Sequence, residues 1–314
     1  MKKVLKVIGI IVLVAAAVVA AILVILSKSP AVSDDYNSKI KTGGQIEEKY
    51  LATGTYQVSF WEQTVMQDFK KYLIYYPADI SEGTERYPVV IFSNGTGVKG
   101  SKYPALLKHL ASWGFIVMAT EEENSWNGLS SEMCLRTIIL LNETETIEGW
   151  AANPFYGHVD LENIGVSGHS QGGVGVMNAA SDNHHADMIK AIFAASPTNL
   201  TLAKGLQWDY DPGLISASIF MVSGTGNADV NLVVSGAQLQ EIYDSIPNDV
   251  TKVMARRTGA DHGDMLTFAD GYMTAWFMWK LQGDTDAAGA FIGEQAELLA
   301  NPLYQDQQAN IIAD

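Results

Sequence analysis

The stretch that most constrains this chain is NIGVSGHSQGGVGVMNA, residues 163–179. It reads as a short apolar strand, a turn of glycines around one serine, and an apolar helix. A chain reverses that tightly only where side chains are missing on both sides of the turn. The strand is apolar throughout, as expected where both faces are covered. The G-x-S-x-G pattern at residues 168–172, set between a strand and a helix, is the context of a nucleophile elbow.

The rest of the chain repeats the same alternation. YPVVIFSNG, FIVMAT, ENIGVSG, KAIFAAS, SIFMVSG and TKVMARR read as buried strands. YPALLKHLASWG, LSSEMCLRTIILLNETETI, SGAQLQEIYDSI and MLTFADGYMTAWFMWKL read as helices between or after them. GTYQVSF and KYLIYYP suggest a hairpin-like pair at the start. Alternating β and α with apolar strands predicts a doubly wound, mostly parallel sheet with helices on both faces, in one domain over residues 49–314.

In such sheets reactive groups gather beyond the carboxyl ends of the strands. Ser170 lies at one, and its hydroxyl needs a base. In this architecture the acid and then the histidine follow the serine. Of six histidines, His109 and His158 precede the elbow and His169 lies inside it. His184 and His185 share a polar loop, read as solvated, with a metal-binding pair as the lesser alternative. His262 follows the last predicted strand and precedes the last large helix, which is the position the base requires. Asp229 is the only carboxylate in SIFMVSGTGNADVN and is the expected acid. Asp211 is the runner-up, and Asp261 and Asp264 read as caps of the following helix. Two backbone N–H groups should hold the oxyanion, those of Gln171 after the nucleophile and of Thr96 in NGTGVKG. No metal or organic cofactor is called for. Cys134, the single cysteine, reads as a buried small hydrophobe.

YYPADISEGTERYPVVIFSNGTG, LASWGFIVMATEEENS, VDLENIGVSGHSQGG and WKLQGDTDA together resemble the α/β-hydrolase superfamily. The resemblance is closest to its dienelactone-hydrolase, chlorophyllase and bacterial cutinase or polyester-hydrolase branch, and runs from about residue 50 to the end. It implies an α/β-hydrolase fold and a serine carboxylic-ester hydrolase. The implied Ser–Asp–His set falls on Ser170, Asp229 and His262. Trp208 is similar in place to an aromatic that lines the acyl cleft of cutinase-like members. With Trp126 and His169 it forms the substrate-binding set. His169 and SNGTG depart from the polyester-hydrolase pattern. The connection between KAIFAAS and SIFMVSG is too short for a folded cap, which implies an open cleft suited to short-to-medium acyl or small aromatic esters. A serine peptidase or acyltransferase of the same fold, and a non-catalytic surface binding protein, are the alternatives.

The amino terminus differs in kind. Val4 to Leu26 is apolar except for Lys6. As a helix it would reach about 34 Å, enough to cross a bilayer core of about 30 Å. Lys2, Lys3 and Lys6 predict that residues 1–27 form a single-pass anchor, retained or cleaved as a signal, with the catalytic domain outside the cell. Residues 28–48 are polar and read as a linker. The net charge is −15, and the three early lysines make the remainder more acidic still. That argues against nucleic-acid partners and leaves the amino-terminal helix as the only membrane contact.

Overall fold

The structure is a computed structural model and describes residues 30–66, 69–181 and 183–312. The expected anchor over residues 1–27 lies outside the described residues. Among the described residues no helix is long and apolar enough to cross a membrane.

Among the described residues nine strands form one sheet in the order β1-β2-β4-β3-β5-β6-β7-β8-β9. They are β1 (Val58–Thr64), β2 (Lys71–Pro77), β3 (Tyr87–Ser93), β4 (Ile116–Thr120) and β5 (Val159–His169). The remainder are β6 (Ile189–Ala195), β7 (Ser218–Gly224), β8 (Lys252–Arg257) and β9 (Tyr304–Asn310). Strands β3 to β8 pair in parallel, while β1, β2 and β9 run antiparallel at the two edges. The fold is thus α/β with a mostly parallel sheet, as the alternation predicts.

Residue alternation along each strand decides which core a side chain enters. In β3, Val89 and Ile91 join one apolar cluster while Val90 and Phe92 join the other. All seven residues of β3 are buried, which explains a run with no polar alternation. Helices α1 (Gln45–Leu51), α2 (Pro104–Ser112) and α7 (Asp270–Gln282) cover the Val90 face. Helices α3 (Leu129–Glu143), α4 (Gln171–Ala179) and α6 (Gly236–Ser245) cover the Val89 face. Between β6 and β7 there is only the short helix α5 (Leu200–Gly205) and one turn of 3-10 helix at Pro212–Leu214, so no folded cap stands there. Two further short helices, α8 (Thr285–Ala288) and α9 (Glu297–Ala300), lead into β9.

The segment expected as linker is polar but packed over its described part. Val32 and Tyr36 are buried, and α1 begins at Gln45. The Tyr36 hydroxyl donates to Asp270 Oδ2 at 2.5 Å, and His109 Nδ1 lies 2.9 Å from the same oxygen. Glu47 is buried among Tyr304, which donates to it at 3.0 Å, Asn301, at 2.9 Å, and Arg257, at 3.7 Å. Tyr36 and Glu47 make this docking because each finds a buried partner on the body. A cavity of about 320 Å³ lies along this seam, lined by Tyr36, Tyr56, Lys108 and His109 among others, and not by Ser170, Asp229 or His262.

Candidate active site

The elbow is built by close approach of backbones. A Cβ on Gly168 would sit 2.2 Å from the carbonyl oxygen of Gly172, and one on Gly172 would sit 2.1 Å from that of Ser93. Only glycine fits at either position. Between them Ser170 is held at φ 60° and ψ −120°, a conformation that costs a residue with a side chain about 1–3 kcal/mol. Its own N–H donates to Ala195 O at 2.9 Å, pinning the elbow to the end of β6. Helix α4 starts at the next residue, Gln171.

Asp229 stands beyond the end of β7 and is fully buried. Its Oδ1 accepts from His262 Nδ1 at 2.8 Å. Its Oδ2 accepts from Ser196 Oγ at 2.7 Å and from the N–H of Gly224 at 2.6 Å. Burial alone would raise this carboxyl. The hydrogen bonds from His262, Ser196 and Gly224 outweigh it and hold Asp229 below the ordinary aspartate range. With Nδ1 donating to a carboxylate, the His262 tautomer leaves Nε2 as the free acceptor, and Nε2 has no partner among the described residues. The structure therefore brings Asp229 and His262 together.

Asp211 is elsewhere. It is exposed and accepts from Gly213 N at 2.8 Å, capping the turn Pro212–Leu214. Asp261 does not cap the following helix as its sequence position suggests. Its Oδ1 accepts three backbone N–H groups, from Ala228 at 2.8 Å, Asp229 at 3.2 Å and His262 at 2.8 Å. One carboxylate oxygen thus ties the loop of the acid to the loop of the base. Asp264 does not cap that helix either, since its Oδ2 accepts from Asp261 N at 2.9 Å.

Thr96 is exposed in the turn after β3, and its N–H has no partner among the described residues. Gly97 at φ 69° completes that turn, donating from N to Glu123 O at 3.0 Å. Asn94 anchors its base, with Nδ2 donating to Thr120 O at 2.8 Å and Glu122 O at 2.7 Å. The loop borders the elbow, since a Cβ on Gly95 would lie 3.5 Å from His169 Nδ1. The N–H of Gln171 is in the first turn of α4, where no intrahelical acceptor exists. The Gln171 side chain has a use that backbone reasoning did not anticipate. It is buried, and its Oε1 accepts from Ser125 N at 3.0 Å, holding the loop that carries Trp126.

His169 is buried at 7% exposure, with Nε2 donating to His262 O at 2.8 Å. This side chain is committed to the base loop. Trp126 and Trp208 are both half-buried and lie on loops joined by one residue of α4. Asn178 Nδ2 donates to Trp126 O at 2.9 Å and to Asp209 O at 3.1 Å. Cys134 is buried, and burial pushes its thiol well up, so it remains protonated. Sequence reasoning missed Ser196, Asn178 and the Gln171 side chain, and gave Asp261 a different role. The one local signal was the position of Ser196 directly after β6, the strand next to the elbow.

A model of the PET hydrolase-like family matches residues 41–296. The chain is 25% identical over 205 residues to chlorophyllase type 0 of Chenopodium album, which covers 57% of this chain and 56% of that protein. It is 24% identical over 215 residues to bis(hydroxyethyl) terephthalate hydrolase of Streptomyces coelicolor, covering 68% of this chain and 62% of that protein. The matches thus span less than two thirds of either relative's own length. The family match, by contrast, takes in all six strands of the parallel core together with the elbow and the loops of Asp229 and His262. On that extent, the chain belongs to the PET hydrolase-like family.

Proposed function

We propose that this protein is a serine carboxylic-ester hydrolase working through an acyl-enzyme on Ser170. The observation that carries the reading is the 2.8 Å bond between His262 Nδ1 and a buried, ionised Asp229, in a chain that also holds Ser170 in a strained elbow. In this reading Ser170 Oγ attacks the ester carbonyl while His262 Nε2 takes its proton. The imidazolium that forms is stabilised by Asp229. The oxyanion is received by the N–H groups of Thr96 and Gln171. His262 then protonates the departing alkoxide, leaving an acyl-serine. Water, deprotonated by His262, attacks that acyl group and releases the acid and free Ser170.

Short-to-medium acyl or small aromatic esters are the proposed substrates. The absence of a folded cap between β6 and β7 supports this, as does the joining of the Trp126 and Trp208 loops on α4. One relative is named for bis(hydroxyethyl) terephthalate, a small aromatic diester, which favours the aromatic class. The action is placed outside the cell, on the strength of the apolar run Val4–Leu26 behind Lys2, Lys3 and Lys6.

The test is initial rates on p-nitrophenyl esters of rising acyl length, on bis(hydroxyethyl) terephthalate and on a matched anilide, with Ser170→Ala as blank. Ester turnover that disappears in the variant is the expected result. Anilide cleavage with weak ester turnover would replace this reading with a peptidase, and no Ser170-dependent turnover would replace it with a binding protein.

A further inference from the structure

The turn after α4 carries two adjacent histidines, His184 and His185, whose rings lie 4.5 Å apart at 63°. Their carboxylate partner comes from far away in sequence. Glu132, in the first turn of α3, is buried with its side chain only 3% exposed. Its Oε1 accepts from His185 Nδ1 at 2.8 Å and from Arg136 Nε at 2.6 Å, and its Oε2 accepts from His185 N at 3.1 Å. One donor atom from each of Glu132, His184 and His185 lies within 4.8 Å of the other two.

We propose that Glu132, His184 and His185 form a binding site for a divalent transition metal, with zinc the best fit. The donor set is two imidazole nitrogens and one carboxylate oxygen. That combination suits zinc and its borderline neighbours, whereas calcium and magnesium take oxygen alone. The carboxylate is buried, and its bond from His185 N remains when a metal takes Oε1, so little freedom is lost in presenting it. His184 is exposed, and neither of its ring nitrogens has a hydrogen-bond partner among the described residues. Donors around a tetrahedral zinc stand about 3.4 Å apart. All three donors lie within 4.8 Å of one another, and the exposed His184 side chain has the rotational freedom to close the gap. His185 keeps a neutral imidazole by moving its proton from Nδ1 to Nε2. Arg136, with half of its side chain exposed, turns to solvent as the cation replaces it. The fourth position falls to water.

The site is not part of the catalytic machinery. His184 follows the carboxyl end of α4, while Ser170 precedes its amino end, about 13 Å away along the helix. A metal there would cross-link α3 to the turn after α4. Gly128, which caps α3, already packs so closely on α4 that a Cβ on it would lie 2.6 Å from Ala179 N.

The experiment is a titration of the chelator-stripped full chain with zinc ion, read by calorimetry and by the thermal midpoint. One saturable equivalent is expected, with a raised midpoint. His184→Ala and His185→Ala should each weaken binding at least about tenfold. His158→Ala, at a half-buried histidine whose ring Nδ1 bonds to Glu85 O, should leave it unchanged. Glu132→Gln removes the carboxylate charge, but it alters a buried residue, so the exposed His184 variant carries the decision. No saturable zinc binding, or binding equal in the His184→Ala/His185→Ala double variant, would overturn the site. Neither outcome bears on ester turnover by Ser170.

Discussion

His169 Nε2 donates to the main-chain carbonyl of His262 at 2.8 Å, and the two imidazoles stand 4.5 Å apart. Burial first, and the neighbouring His262 second, push His169 down to about 4. In the unfolded chain it titrates near 6.5. Between those values the unfolded state binds the proton that the folded state refuses, so stability falls as pH falls through this window. The loss from this residue between pH 7 and pH 5 is about 2 kcal/mol. Urea unfolding at both pH values should show that loss in the parent chain, and a smaller pH dependence in His169→Gln. Equal pH dependence in the two would show that His169 is not the group responsible.

Asp229→Asn keeps the size of the acid but removes the charge that sets the His262 tautomer. Turnover of a p-nitrophenyl ester should drop by about 10³–10⁴-fold in kcat, with KM little changed. Steady-state kinetics measure both. A drop under tenfold would mean that another carboxylate holds His262.

Asp261 acts through the loops it ties together. Asp261→Ala leaves the N–H groups of Ala228, Asp229 and His262 without their shared acceptor. A displacement of either loop by an ångström costs on the order of 10²-fold in rate. That loss is expected in kcat rather than KM. Asp261→Asn retains an accepting oxygen and should recover most of it. If the alanine and asparagine variants behave alike, the negative charge rather than the tether is what matters.

Asn178→Ala cuts the two bonds that join the Trp126 and Trp208 loops to α4. Alanine preserves the helix, so the fold should stand. KM for an aromatic ester should rise about three- to tenfold, the equivalent of one or two hydrogen bonds, while kcat holds. Comparing a benzoate with an acetate ester separates the effects, since the acetate should respond less. An unchanged benzoate KM would remove the two tryptophans from the substrate contact.

Much of this molecule is local in origin and so legible in the chain alone. The elbow needs glycines at 168 and 172 because backbone atoms lie about 2 Å from where their side chains would be. The parallel strands show as apolar runs because both faces of the sheet are covered. The chain order of Ser170, Asp229 and His262 follows from the order of the strand ends.

What only the tertiary structure decided is which distant groups share a buried polar atom. Asp261 has the sequence position of a helix cap, yet its acceptor faces N–H groups of residues 228 and 229 that only folding brings near. Ser196, Gln171 and Asn178 are ordinary polar residues until β6 and α4 set them against the acid, the Trp126 loop and Asp209. The polar edge strand β9 shows no apolar run, because an edge needs only β8 to pair with. Likewise the polar segment 28–48 reads as a linker, and its described part packs because Tyr36 and Glu47 meet Asp270, Arg257 and Tyr304. Apolar burial leaves a periodic signature along the chain, whereas a hydrogen bond between residues far apart in sequence leaves none.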